Sequence, residues 1–168
     1  MGLDWNFIVT VASLIVAIVS LLLTGEWMRI RGLLGLFKLG TRRVDAVVGV
    51  VTKRDQVLLV HRIPAKKSKL HWQFPAGSVN NHKPLHEVMI DEIKDETGIE
   101  VSIAGEIGRR VHPYTGRYCL YYNCLWVSGQ EVNGDPQENL YVRWVAKGEV
   151  EAYLGKGLYS KVRQHLLK

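Results

Sequence analysis

The stretch Leu85 to Gly98, LHEVMIDEIKDETG, most narrows the folds open to this chain. Pro84 suits a helix start and Gly98 a helix stop, so a helix is expected from Leu85 to Thr97. At about 100° per residue, Leu85, Val88 and Met89 share a face with Glu92, and Asp95 and Glu96 continue it. One stripe is therefore apolar for two turns and then carries three carboxylates. Solvated acids at a helix end would sit opposite the apolar stripe. On an inward face they are costly unless paired or bound to a cation, and no Lys or Arg shares the stripe. Hard divalent cations with oxygen ligands, Mg²⁺ or Mn²⁺, are the natural compensation. The competing reading is an acid cluster fraying into water, where the helix dipole and mutual repulsion would still oppose it.

The residues around this helix read as α+β. VDAVVGVVTKRDQVLLVHRI forms two β-rich runs about a polar turn at Lys53 to Gln56, and HWQFPAGSVNNHKP is expected to be a loop. Three more strand-like runs follow, Glu100 to Val111, Tyr118 to Val127 and Leu140 to Val145. A closing helix over roughly Leu158 to Leu167 places Tyr159, Val162 and Leu166 on one side. Strands flanking two helices indicate α+β or an αβα sandwich. Cys119 and Cys124 are too few for a disulfide scaffold. Five apart in one strand, they should face opposite sides, as free thiols in a reducing compartment. Trp126 and Trp144 are expected in the core.

The N-terminus has a different character. Phe7 to Leu23 is a 17-residue run without charge, bracketed by Trp5 and Trp27. As a helix the bracketed span measures about 33 Å, enough to cross a bilayer with Trp at both interfaces. A cleaved signal peptide would want a positive start, whereas Asp4 precedes the run and no Lys or Arg does. Arg29, Arg31, Lys38, Arg42 and Arg43 all follow it, which orients the chain as a single-pass membrane protein with the N-terminus outside and the domain cytoplasmic. Residues 1–26 are thus expected to be a transmembrane anchor. Residues 27–43 are expected to be a basic amphipathic linker on an anionic leaflet, with an irregular tether as the alternative given Gly32, Gly35 and Gly40. Residues 44–168 are expected to form a separate folded domain. The net charge of +6 divides equally between residues 1–43 and the remainder, so the domain itself is only mildly basic. With neither a basic stripe nor an aromatic stacking motif, nucleic acid is not expected as a partner.

The segment Gly77 to Ile99 resembles the Nudix box, G-x5-E-x7-R-E-U-x-E-E-x-G-U with U aliphatic. Gly77, Glu92, Ile93, Glu96, Gly98 and Ile99 match, and Asp95 replaces a Glu conservatively. The preceding WQFPAG is similar to the family's approach to the box, with Ala76 in place of a common Gly. The resemblance implies the Nudix fold over residues 44–168 and hydrolysis of a nucleoside diphosphate linked to another moiety. It implies metal ions bridging the phosphate oxygens, held by Glu92, Asp95, Glu96 and the main-chain carbonyl of Ala76, with Glu92 or Glu96 orienting or deprotonating the water. It also makes a homodimer a candidate assembly.

Two positions depart from the box: Lys83 stands where the family has Glu, and Asp91 where it has Arg. The family's Arg is thought to position the neighbouring Glu, so its loss favours an alternative, a catalytically impaired domain that senses a nucleotide at the membrane. Both departures reverse sign, however, which raises the expectation that a loop-to-helix ion pair survives with its polarity swapped. Beyond the box, RRVHPYTGRY lies between two strands where substrate contacts are often built. Arg117 could meet a phosphate and Tyr114 stack on a base, the alternative being an ordinary polar hairpin. Arg62 is a further candidate substrate contact, and Glu138 is a candidate extra metal ligand or base, or simply a surface Glu. His112 is expected to be structural. Lys66, Lys67 and Lys69 are a loop that either attracts an anion or is merely solvated.

Overall fold

The computed structural model describes residues 42–64, 72–79 and 83–168, together with Thr10 and Ser13. Contacts divide the chain into two units, Met1–Thr41 and Arg42–Lys168. Apart from Thr10 and Ser13, the apolar run at Phe7 to Leu23 lies outside the described residues, as do linker residues 27–41 and the lysines at 66, 67 and 69. Among the described residues no helix is long and apolar enough to cross a membrane.

The second unit is built on a mixed seven-stranded sheet. Strands β1 (Ala46–Lys53) and β2 (Gln56–Arg62) are joined by a tight turn at Arg54, whose φ is +54°. They pair only at Thr52↔Val57 and Lys53↔Gln56 and then diverge. The freed half of β1 pairs with β4 (Ala76–Ser78), and β2 pairs with β3 (Trp72–Gln73) and β7 (Asn139–Ala146). On its other side β1 runs parallel to β6 (Tyr118–Ser128), which pairs antiparallel with β5 (Glu100–Val111). This divergence of β1 from β2 opens the sheet where the site forms. The segment expected to be only loop thus contains two short strands. Too short to carry a period-2 pattern, they exist because β1 and β2 offer unpaired backbone as they separate.

Helix α1 (Leu85–Thr97) has the limits expected. Gly98 closes it in the left-handed conformation, φ +69°, with its N–H on the Lys94 carbonyl at 2.8 Å. Val47, Val51 and Leu58 face α1 with Val88, Met89, Ile93 and Ile99, while Ala46, Val48, Val50, Val57 and Leu59 face the opposite way. The second face is covered by α2 (Val150–Leu154) and α3 (Ser160–Leu166), through Val150, Leu158, Val162 and Leu166. This unit is therefore an αβα sandwich, with β1 and β2 buried on both sides, which is why they read as apolar runs. Cys119 lies in one layer and Cys124 in the other, both buried and free. The tryptophans need correction. Trp126 and Trp144 are partly buried at the rim of the α1 layer, with Lys53 Nζ 3.9 Å and 5.6 Å from their ring centroids.

Candidate active site

The three acids of α1 are not equivalent. Glu96 is buried, 7% exposed, Glu92 is half-buried, and Asp95 is exposed. Helix phase explains this. The buried stripe runs through Met89, Ile93, Glu96 and Thr97, and Asp95 lies more than about 100° from its centre. All three nonetheless line one cleft of about 750 Å³. Glu92 comes close to β4: a Cβ on Gly77 would lie 2.2 Å from its Cγ and 2.4 Å from its Cδ, so only glycine leaves the side chain its place. Ala76 also sits at the cleft, and its N–H donates to Glu96 Oε2 at 3.3 Å.

Burial dominates the electrostatics. It pushes the Glu96 carboxyl up to about 7, with Glu92 and Asp135 adding to the rise and the Ala76 N–H and Arg62 opposing it. Glu92 is raised by burial first, then by Asp95, Glu138 and Asp91. Burial thus favours the protonated form of both carboxyls relative to exposed ones.

The swapped ion pair is present. Lys83 Nζ bonds Asp91 Oδ2 at 2.7 Å, and this contact is the largest cause of the rise in the Lys83 pKa. Arg62, at the end of β2, pairs with Glu138, and both line the cleft. Glu138 is held by a turn in which Asp135 Oδ1 accepts from the N–H groups of Gln137 and Glu138, each at 3.2 Å. The same loop caps α1. The N–H groups of Val132 and Gly134 bond the carbonyls of Thr97 and Glu96, each at 3.0 Å, satisfying end groups the helix leaves open. It packs so closely that a Cβ on Gly134 would lie 1.9 Å from the Asp95 carbonyl oxygen.

Arg117 lines the cleft, its guanidinium bonding the Asp45 carbonyl and Ser78 Oγ. Tyr114 lies beside the cleft. At the turn tip it is 49% exposed, lies near Gly157 and His112, and is not among the cleft-lining residues. His112, expected to be structural, lines the cleft, and its Nδ1 accepts from the Tyr114 N–H at 3.4 Å. Two lining residues, Arg110 and Asp135, are not singled out by the sequence. Asp135 had a signal in the Asp-Pro turn signature of GDPQEN, whereas nothing local separates Arg110 from Arg109.

The donor chemistry suits a hard divalent cation: carboxylate oxygens only, one buried and one half-buried. Among the described residues no three acids, histidines or cysteines converge to ligating distance, so the side chains would have to close on the ion.

Comparison with known proteins agrees with this architecture. The model of the NUDIX domain matches residues 41–165. A Bacillus subtilis (strain 168) protein, provisionally named as an 8-oxo-dGTP diphosphatase, is 26% identical over 110 residues, covering 65% of this chain and 70% of that one. Nudix hydrolase 2 of Arabidopsis thaliana is 25% identical over 109 residues, covering 62% of this chain but only 39% of its own length. The crystal structure of a Nitrosomonas europaea NUDIX hydrolase superposes with a TM-score of 0.61 at 18% identity, over 73% of this chain and 69% of that one. With the domain match spanning most of its length, the chain belongs to the Nudix hydrolases, enzymes that act on phosphoric anhydride bonds.

Proposed function

We propose that this chain is a pyrophosphohydrolase, dependent on Mg²⁺ or Mn²⁺, that cleaves a nucleoside diphosphate linked to another moiety. The observation that carries the reading is Glu96, a carboxyl buried at 7% exposure beside Glu92 in a cleft large enough for a nucleotide. When bound, the cation neutralises phosphate charge and makes a bound water more acidic. Glu92, Asp95 and Glu96, with the Ala76 carbonyl, are the groups that would hold it. Glu92 or Glu96 would also be placed to orient the attacking water or accept its proton. Arg62 contributes positive charge at the cleft wall, steadied by Glu138.

The domain is further proposed to be held at a membrane, facing the cytoplasm, by the apolar run Phe7 to Leu23 and the basic residues after it. That part of the reading rests on sequence. A second function, nucleotide sensing without turnover, is favoured by one observation: Asp91 occupies the family's Arg position and is itself committed to Lys83.

Phosphate release by the full chain in detergent would be measured with nucleotide sugars, ADP-ribose, dinucleoside polyphosphates and nucleoside triphosphates. Turnover of at least one class is expected with Mg²⁺ or Mn²⁺, abolished by chelation and reduced more than about a hundredfold by Glu96→Gln. Nucleotide binding with no turnover in any class would replace hydrolysis with sensing.

A further inference from the structure

The cleft is electrically polarised, and hydrolysis as proposed above uses only one of its poles. Glu92, Asp95, Glu96, Asp135 and Glu138 gather on the α1 side. Arg110 and Arg117, carried by the β5–β6 hairpin, also line the cleft, Arg117 reaching Ser78 on β4. Their partners set them apart from three arginines that are paired with carboxylates. Arg62 pairs with Glu138, Arg109 with Glu106 and Arg163 with Glu151. Arg110 is held only by neutral acceptors: Nε donates to Tyr121 Oη at 3.1 Å and Nη2 to the Gly157 carbonyl at 2.6 Å. The Tyr121 and Tyr159 rings lie 5.4 Å and 5.0 Å from its guanidinium carbon. Arg117 is likewise held by a carbonyl and a hydroxyl. Among the described residues no carboxylate forms a salt bridge with either. A partly buried guanidinium fixed by neutral groups, with N–H donors left over, is preorganised for an anion.

Strand pairing gives the scale. Ala76, whose N–H holds Glu96, lies opposite Val48, and Val48 lies opposite Tyr121, whose hydroxyl holds Arg110. Two strand spacings, about 10 Å between backbones, therefore separate the β4 residue that holds Glu96 from the β6 residue that holds Arg110, while Arg117 reaches back to Ser78 on β4. That backbone spacing is comparable with the length of a sugar and its outer substituent. His112 adds a neutral donor to the two arginines. Its Nδ1 accepts a hydrogen bond, which leaves the proton on Nε2, and burial and Arg110 hold its pKa below the usual value.

We propose that Arg110, with Arg117 and His112, forms an anion subsite selecting substrates whose moiety beyond the pyrophosphate carries its own negative charge, a carboxylate or a phosphate, one sugar away from the bond that is broken. The subsite deepens the pyrophosphohydrolase function and rests on it. Neutral sugars leave the subsite unmatched. Arg110 is the specificity-determining residue, because its guanidinium is fixed before substrate arrives.

The test compares substrates differing in that single charge on the full chain with Mg²⁺. UDP-glucuronate against UDP-glucose reads a carboxylate, and ADP-ribose phosphorylated on its distal ribose against ADP-ribose reads a phosphate. In at least one pair the charged member should have a kcat/KM higher by about tenfold or more. Arg110→Gln should bring that ratio near one whatever the absolute rates, Arg110→Lys should retain part of it, and Arg109→Gln should keep it. Melting curves identify any variant that fails to fold. Ratios near one for both pairs in the unsubstituted chain, or a ratio that survives Arg110→Gln, would overturn the subsite. Should no substrate turn over, hydrolysis fails separately. The same pairs are then compared by calorimetry with Mg²⁺ present, where equal or absent binding overturns the subsite and a tenfold preference lost in Arg110→Gln supports it.

Discussion

Lys83 and Asp91 form a 2.7 Å ion pair that ties the segment preceding α1 to the second turn of the helix, at the two positions where this chain reverses the family's charges. The pair is exposed, so its value lies in holding that segment against the helix next to Glu92 rather than in stability. Lys83→Glu and Asp91→Arg should each lower kcat/KM, and the double reversal should restore or exceed the original value. Additive losses, read from a double-mutant cycle on kcat/KM, would remove any role for the pairing.

Glu96 predicts a pH dependence of stability. Unfolded, its carboxyl ionises near 4.5, and in the folded, metal-free protein near 7. Between those values the folded state binds more protons, so stability falls as pH rises through that window, by up to about 3 kcal/mol. Thermal midpoints without metal should drop between pH 5 and 8. Glu96→Gln should flatten that slope, and Mg²⁺ should raise the midpoint most at the alkaline end. A slope unaffected by Glu96→Gln would mean that Glu96 is not buried as a carboxylic acid.

Gly77 and Gly134 should fail in different ways. A methyl group at Gly77 meets the middle of the Glu92 side chain, which can rotate aside. Gly77→Ala should therefore keep most of its stability and lose on the order of a hundredfold in kcat, because a displacement of about 1 Å at a reacting centre costs that much. At Gly134 the methyl meets the backbone carbonyl of Asp95, which cannot yield without lifting the loop off the helix. Gly134→Ala should lower the melting temperature sharply, by a loss of roughly 1–3 kcal/mol or more. Circular dichroism melts beside steady-state kinetics separate the two.

Glu138 and Arg62 should separate by kinetic parameter. Since the Glu138 carboxylate is engaged by Arg62, Glu138→Gln should raise KM several-fold and leave kcat within about threefold, and Arg62→Ala should raise KM further. A kcat loss above about a hundredfold in Glu138→Gln with unchanged KM would instead make Glu138 the base.

Much of this was readable along the chain, because the signals were local and periodic. Leu85–Thr97 is bounded by Pro84 and Gly98, and its apolar stripe runs into Glu92 and Glu96 within four turns, so both the helix and its acidic end follow from neighbours in sequence. The strands at Ala46–Lys53 and Gln56–Arg62 declared themselves by continuous apolar runs. Glu92 and Glu96 follow from that pattern, whereas the reversal at Lys83 and Asp91 is visible only against the Nudix box.

What only the tertiary structure decided are relations between residues far apart in sequence. Whether Asp95 is buried depends on where the sheet lies relative to the helix, and that direction exists only once α1 has packed on Val47 and Val51. Strands β3 and β4 arise from backbone groups exposed where β1 and β2 part. Arg110 looks like Arg109 in the sequence. It is distinguished only when Gly157, Tyr159 and Tyr121 close around its guanidinium while Arg109 turns to Glu106. Local pattern determined the elements and the acids, whereas the charge left unmatched across the cleft was set by three-dimensional packing, since a side chain's electrostatic partners are chosen by distance in space.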